Sequence, residues 1–112
     1  MITGAHTVIY SRDPDADRAF FRDVLKLNHV DSGDGWLVFS VPAAELAVHP
    51  SDTNDVHEFY LICDHIQDFV AELKTKKVPC SPIQEERWGS LVKMTLPGGG
   101  RLGVYQPKHL RP

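Results

Sequence analysis

The chain has 112 residues and a formal net charge of −3, with 12 basic and 15 acidic residues. That length supports one hydrophobic core, hence a single domain over 1–112, and the charge gives no electrostatic case for binding nucleic acid or an anionic membrane. No apolar run approaches the roughly 20 residues of a membrane helix, and Cys63 and Cys80 lack metal or redox spacing, which suits a reducing, cytoplasmic setting.

In chain order, Ala5–Tyr10 alternates and is rich in β-formers, so it reads as a strand rather than a leader. Asp13-Pro14 supplies an N-cap carboxylate and a first-turn proline, predicting a helix to about Leu25. Its buried stripe is Phe20 with Val24 and Phe21 with Leu25. Asn28–Asp34 is a weak strand running into the Gly33-Asp34-Gly35 turn, and Trp36–Val41 and Glu45–His49 are two strands joined through Pro42-Ala43-Ala44. A polar link at Ser51–Val56 leads to a second strand, Glu58–Cys63. Asp64 is the expected cap of a second helix through about Lys76, with Ile66, Phe69, Val70 and Leu73 as its apolar stripe and Lys74, Lys76 and Lys77 at its negative end. Cys80–Arg87 reads as a proline-flanked edge strand, followed by strands at Ser90–Leu96 and Arg101–Gln106 across the Gly98-Gly99-Gly100 hairpin turn. That turn has no helix after it, so it is not a phosphate loop.

The chain therefore says nearly the same thing twice. Modules of approximately 1–50 and 57–107 each run strand–helix–strand–strand–strand. The expected fold class is α+β: two paired βαβββ modules forming a curved mixed sheet, with the helices on its convex face. Open sheet edges predict a homodimer.

Side chains alternate along a strand, so the two sheet faces separate. One face carries Thr7, Ile9, Leu37, Phe39, Val41, Leu46, Val48, Phe59, Leu61, Val92, Met94, Leu102 and Val104, and should lie beneath the helices. The other carries His6, Tyr10, Trp36, Glu45, His49, Glu58, Tyr60, Lys93, Thr95, Gly103 and Tyr105 among others. Burying that mixture dry would cost several kcal/mol for each unpaired group, so it reads as a wet, concave cup for a small molecule. Tyr10, Trp36, Tyr60 and Tyr105 would be aromatic walls favouring a flat ligand, and Lys93 with Thr95 could hold an anionic group. Trp88-Gly89 fits a lid or a dimer contact, and the sequence does not choose. His57 should face the helices or solvent, and His29, His65 and His109 read as structural.

The paired modules, the opening Ala5-His6-Thr7-Val8-Ile9-Tyr10-Ser11-Arg12-Asp13, the run Phe20-Phe21-Arg22-Asp23-Val24-Leu25-Lys26-Leu27, and the closing Leu96-Pro97-Gly98-Gly99-Gly100 with Arg101–Pro107 resemble the vicinal oxygen chelate superfamily. That group includes glyoxalase I, extradiol dioxygenases, and bleomycin- and fosfomycin-resistance proteins. The resemblance implies either a metal-dependent dioxygenase or lyase acting on a small oxygen-chelating or aromatic compound, or a metal-free dimeric protein that sequesters such a ligand.

The family's metalloenzymes draw ligands from the opening and last strands of each module. Carried over, these positions are His6, Glu58, Ala47 and Gly103, and the last two have no side-chain donor. The resemblance thus leaves a candidate set of His6, His49 and Glu58 for a divalent ion (Fe, Mn, Zn or Ni), with Glu45 an alternative carboxylate. A bound ion would hold substrate oxygens, and Glu58 or a tyrosine such as Tyr105 could move a proton.

Overall fold

The computed structural model describes residues 11–41, 52–55 and 57–110, together with Thr7, Ile9, Ala44 and Ala47. The expected strands at 5–10 and 45–49, with His6, Tyr10, Glu45, Leu46, Val48 and His49, lie outside the described residues except for Thr7, Ile9 and Ala47.

The first helix, α1 (Pro14–Asp23), starts as its sequence dictates: Asp13 is the N-cap, its carboxylate accepts the Ala16 N–H at 3.2 Å, and Pro14 fills the first turn. It ends two residues before Leu25, with Val24 as C-cap. Two short strands follow, β1 (His29–Asp31) and β2 (Leu37–Phe39), paired antiparallel with Val30 opposite Val38. The second module is complete: β3 (Tyr60–Ile62), α2 (Ile66–Thr75), β4 (Gln84–Glu85), β5 (Gly89–Thr95) and β6 (Arg101–Pro107). Its sheet runs β3-β6-β5-β4, with β3 parallel to β6 and the other pairs antiparallel. This is a mixed sheet with helices against it, the α+β arrangement expected.

Both helices share one core on one face of that sheet. Phe20 of α1 and Ile66 and Leu73 of α2 are buried against Val92, Met94, Leu102 and Val104, with Phe21, Val24, Leu25, Phe59, Leu61, Phe69 and Val70 packed around them. Val92, Met94 and Val104 are at most 1% exposed, so the alternation rule assigned this face correctly. Val41, assigned to the same face, is exposed because β2 stops at Phe39 and the pleat no longer directs it inward; Ile9 is exposed as well.

Two local expectations are corrected. Asp64 does not cap α2: the N-cap is His65, with no side-chain bond, and the first helical N–H, of Ile66, donates instead to Oε1 of Gln106 at 2.9 Å. The cap is thus supplied by β6, forty residues on, from the helix-side face of the strand. The 80–87 strand shrinks to Gln84–Glu85 and a single bridge, Cys80 to Met94. Pro82 cannot donate to the ladder, and the Ser81 hydroxyl oxygen substitutes locally by accepting the Lys93 N–H at 2.8 Å. The strand does lie at the sheet edge, as its prolines require.

A buried carboxylate ties the modules together. Asp17 of α1, 5% exposed, accepts the Gly98 N–H at 2.8 Å in the β5–β6 hairpin turn. That turn is closed by Leu96 N–H to Gly100 O at 2.7 Å, with Gly99 at φ 93°.

Candidate functional site

The face of β5 and β6 turned away from the helices carries Leu91 and Lys93 on one strand and Arg101, Gly103 and Tyr105 on the other, with Lys93 opposite Gly103 and Leu91 opposite Tyr105. β3 adds Tyr60 beside Gly103 in parallel register. This pairing explains the glycine: a Cβ at Gly103 would run into the Tyr60 ring. The ring therefore occupies the space above the last strand where the family resemblance implies a metal-binding side chain.

Tyr60, Tyr105 and Trp88 form an aromatic triangle. Ring centroids are 5.6 Å apart for Tyr60–Tyr105, 5.4 Å for Trp88–Tyr105 and 6.2 Å for Tyr60–Trp88, all edge-to-face. Such pairs add about 0.5–1.5 kcal/mol each beyond area burial. Trp88 is held from both sides: its carbonyl accepts the Lys108 N–H at 2.8 Å, and Gly89 beside it permits a close approach that a Cβ, 2.6 Å from the Gln106 carbonyl oxygen, would prevent. Glu85 accepts from Lys108 Nζ and from the Ser90 hydroxyl, both at 2.7 Å, and this clamps the loop before β5 to the segment after β6. The Lys108 and Ser90 bonds hold the Glu85 carboxyl below its usual range.

Two polar groups finish the triangle. The Tyr60 hydroxyl donates to Oε2 of Glu58 at 2.9 Å, and burial first, then that bond, raises the phenol pKa above its ordinary value. The Tyr105 hydroxyl lies 3.4 Å from Nε2 of His109, whose Nδ1 lies 2.7 Å from the Leu110 carbonyl. A carbonyl only accepts, so Nδ1 is the donor to Leu110, and Nε2 is the ring atom facing the Tyr105 hydroxyl.

The structure brings Glu58, Tyr60, Lys93 and Tyr105 together on one face. Trp36 is elsewhere: its indole packs under the Arg18 guanidinium of α1, 4.7 Å from the ring centroid, and it lies just ahead of β2, where strand alternation does not apply. His6, Tyr10 and His49 are outside the described residues. Among the described residues no three His, Cys, Asp or Glu side chains converge to hold a metal. Ala47 and Gly103 offer no donor, so the chain does not provide the four-ligand set that the resemblance implies.

Sequence reasoning missed Trp88 as a member of the aromatic triangle, His109 as the polar neighbour of the Tyr105 hydroxyl, and Arg101. Arg101 was legible, since it shares the parity of Gly103 and Tyr105 on β6. Trp88 was not, because it precedes the strand and is placed by loop contacts. The two cysteines are free, and burial raises both thiol pKa values.

No protein-family model matches the chain, and no curated protein matches it in sequence. Solved structures do match in fold. TnmS3, an antibiotic binding protein from Streptomyces sp. CB03234, aligns with a TM-score of 0.72 at 17% identity, over 96% of this chain and 99% of that one. A lactoylglutathione lyase from Agrobacterium tumefaciens gives 0.64 at 18% identity, over 93% and 92%. The fosfomycin resistance protein FosX from Listeria monocytogenes gives 0.62 at 11% identity, over 96% of each. The chain has the vicinal oxygen chelate fold. No helix among the described residues is long and apolar enough to cross a membrane.

Proposed function

We propose that this protein binds a flat aromatic small molecule in its cup and holds it without chemical change. The observation that carries the reading is the Tyr60 ring lying over Gly103, which puts an aromatic wall where a metal ligand of the last strand would stand. The Tyr60–Trp88–Tyr105 triangle extends that wall, and stacking on such rings is the usual means of holding a planar ligand. The fold likeness to an antibiotic binding protein over nearly the full length of both chains is in keeping with it.

The test uses the two tryptophans. With Trp36→Phe, Trp88 becomes the sole indole and reports occupancy of the cup. Titration with 2-naphthylmethanol should change its emission saturably, and Tyr60→Ala should weaken binding about tenfold or more, the scale of one lost ring contact with its apolar area. An unchanged emission would refute the proposal.

The metal-dependent reading rests on Glu58, the member of the His6, His49 and Glu58 set that lies on the described face. It requires about one divalent ion per chain, lost in His6→Ala, with Glu58 or Tyr105 moving a proton. In the binding reading Glu58 instead orients the Tyr60 hydroxyl. A homodimer, with the second copy covering sheet edges, belongs to either reading and is tested by sedimentation.

A further inference from the structure

We propose that Lys93 and Arg101 form the acid-binding end of the cup, so that its ligand is a planar aromatic compound carrying a carboxylate. This rests on the binding reading above and names the ligand class. Both residues line a cavity of about 500 Å³ on the cup side of β5, together with Ser81, Ile83, Gln84 and Leu91. That volume lies in the range of small-molecule sites.

The neighbouring acids are already engaged. Glu58 accepts from Tyr60, Glu85 from Lys108 and Ser90, and Glu86 from the Gln84 side chain at 2.6 Å. Neither Lys93 nor Arg101 forms an ion pair among the described residues. The Ser81 hydroxyl is spent on the Lys93 N–H and the Pro82 carbonyl. The charged groups left to a ligand in this cavity are therefore two cations, walled by Ile83 and floored by buried Leu91. Two cations on one face repel each other, and a bound anion relieves that repulsion.

Register joins this end to the aromatic one. Lys93 is directly opposite Gly103, which lies beneath the Tyr60 ring, and Arg101 is two residues before Gly103 on the same face. One strand spacing, about 5 Å, separates Lys93 from the aromatic floor, and about 7 Å separates same-face neighbours along β6. A carboxylate held by Lys93 and Arg101 thus leaves the attached rings over Tyr60 and beside Trp88 and Tyr105. Arg101 supplies a planar fork suited to a carboxylate, and Lys93 a movable point charge.

The test compares 2-naphthoate with 2-naphthylmethanol, which share the rings and differ in charge, by titration calorimetry. The acid should bind about tenfold more tightly or better, as charge-assisted hydrogen bonds imply, and the preference should shrink in about 0.5 M salt. Lys93→Gln and Arg101→Gln should each cut the acid-over-alcohol ratio by about threefold or more, and Lys74→Gln on α2 should leave it alone. Equal affinity for the two probes, or a preference that survives both substitutions, overturns the acid site and leaves the aromatic cup standing. Binding of neither probe overturns both.

Discussion

The two faces of β5 and β6 are built from neighbouring residues of the same strands and follow opposite rules. On one, Val92, Met94 and Val104 are at most 1% exposed beneath both helices. On the other, one residue away, Lys93 and Arg101 are exposed and the Tyr60 ring takes the place of a side chain at Gly103. The helix face holds the fold by removing apolar area from water. The opposite face keeps its rings partly open, and its Lys93 and Arg101 form no ion pair among the described residues. Substitutions on the first face should act on stability, and those on the second on binding, with Gly103, beneath the Tyr60 ring, acting on both.

The largest effect belongs to the helix face. Met94→Ala removes a fully buried side chain from the middle of the core and should cost about 2–5 kcal/mol. Chemical denaturation measures it, and a loss below about 1 kcal/mol would mean that the core is loosely packed. Gly103→Ala comes next. The new Cβ must displace the Tyr60 ring, so it should cost about 1–3 kcal/mol by overpacking. It should also change the near-ultraviolet circular dichroism of the aromatic triangle and abolish aromatic binding. If it is neutral in both respects, the Tyr60–Gly103 contact is wrong.

Asp17→Ala strands the Gly98 N–H in a half-buried turn and should destabilise by about 1–3 kcal/mol, with ligand binding retained in the folded fraction. Combining Asp17→Ala with a Gly98→Ala change would not separate the effects, since a Gly98 Cβ would itself press on the Asp17 carboxylate. The smallest effect is pH-dependent. The Tyr60 pKa is raised in the folded state, chiefly by burial, so the folded chain holds that proton more tightly than the unfolded chain. The resulting stability is present below pH 10.0, the ordinary value, and is lost as pH rises through the higher folded pKa. Spectrophotometric titration should find a late-ionising tyrosine that is absent in Tyr60→Phe; identical titration curves at high pH, scaled for the lost ring, would contradict the placement.

Much of the fold was legible because local rules and tertiary packing agree. Asp13-Pro14 starts α1, the apolar stripe of Ile66, Phe69, Val70 and Leu73 faces the sheet, and Leu102 and Val104 lie under helices. Where tertiary contacts override local chemistry, local reasoning stops. Asp64 looks like a cap, yet Gln106 does the capping from across the core. Asp17, in the first turn of α1, bonds to a turn eighty-one residues on, a contact that no local rule indicates.

The candidate site divides in the same way. Tyr60, Lys93 and Tyr105 could be assigned to one face by alternation alone. That Tyr60 lies on Gly103 required the parallel pairing of β3 with β6, a long-range choice. Trp36 and Trp88 lie just outside strands, where period-two reasoning has no force; one packs on Arg18 and the other joins the tyrosines.

The proposal requires that the aromatic floor over Gly103 bind a planar ligand with no metal ion in the interaction. The most direct measurement is Trp88 emission in Trp36→Phe protein titrated with 2-naphthylmethanol before and after exhaustive dialysis against a chelator. The same saturable change is expected in both samples. No change in either, or a change that disappears with the chelator and returns with a divalent ion, would contradict it.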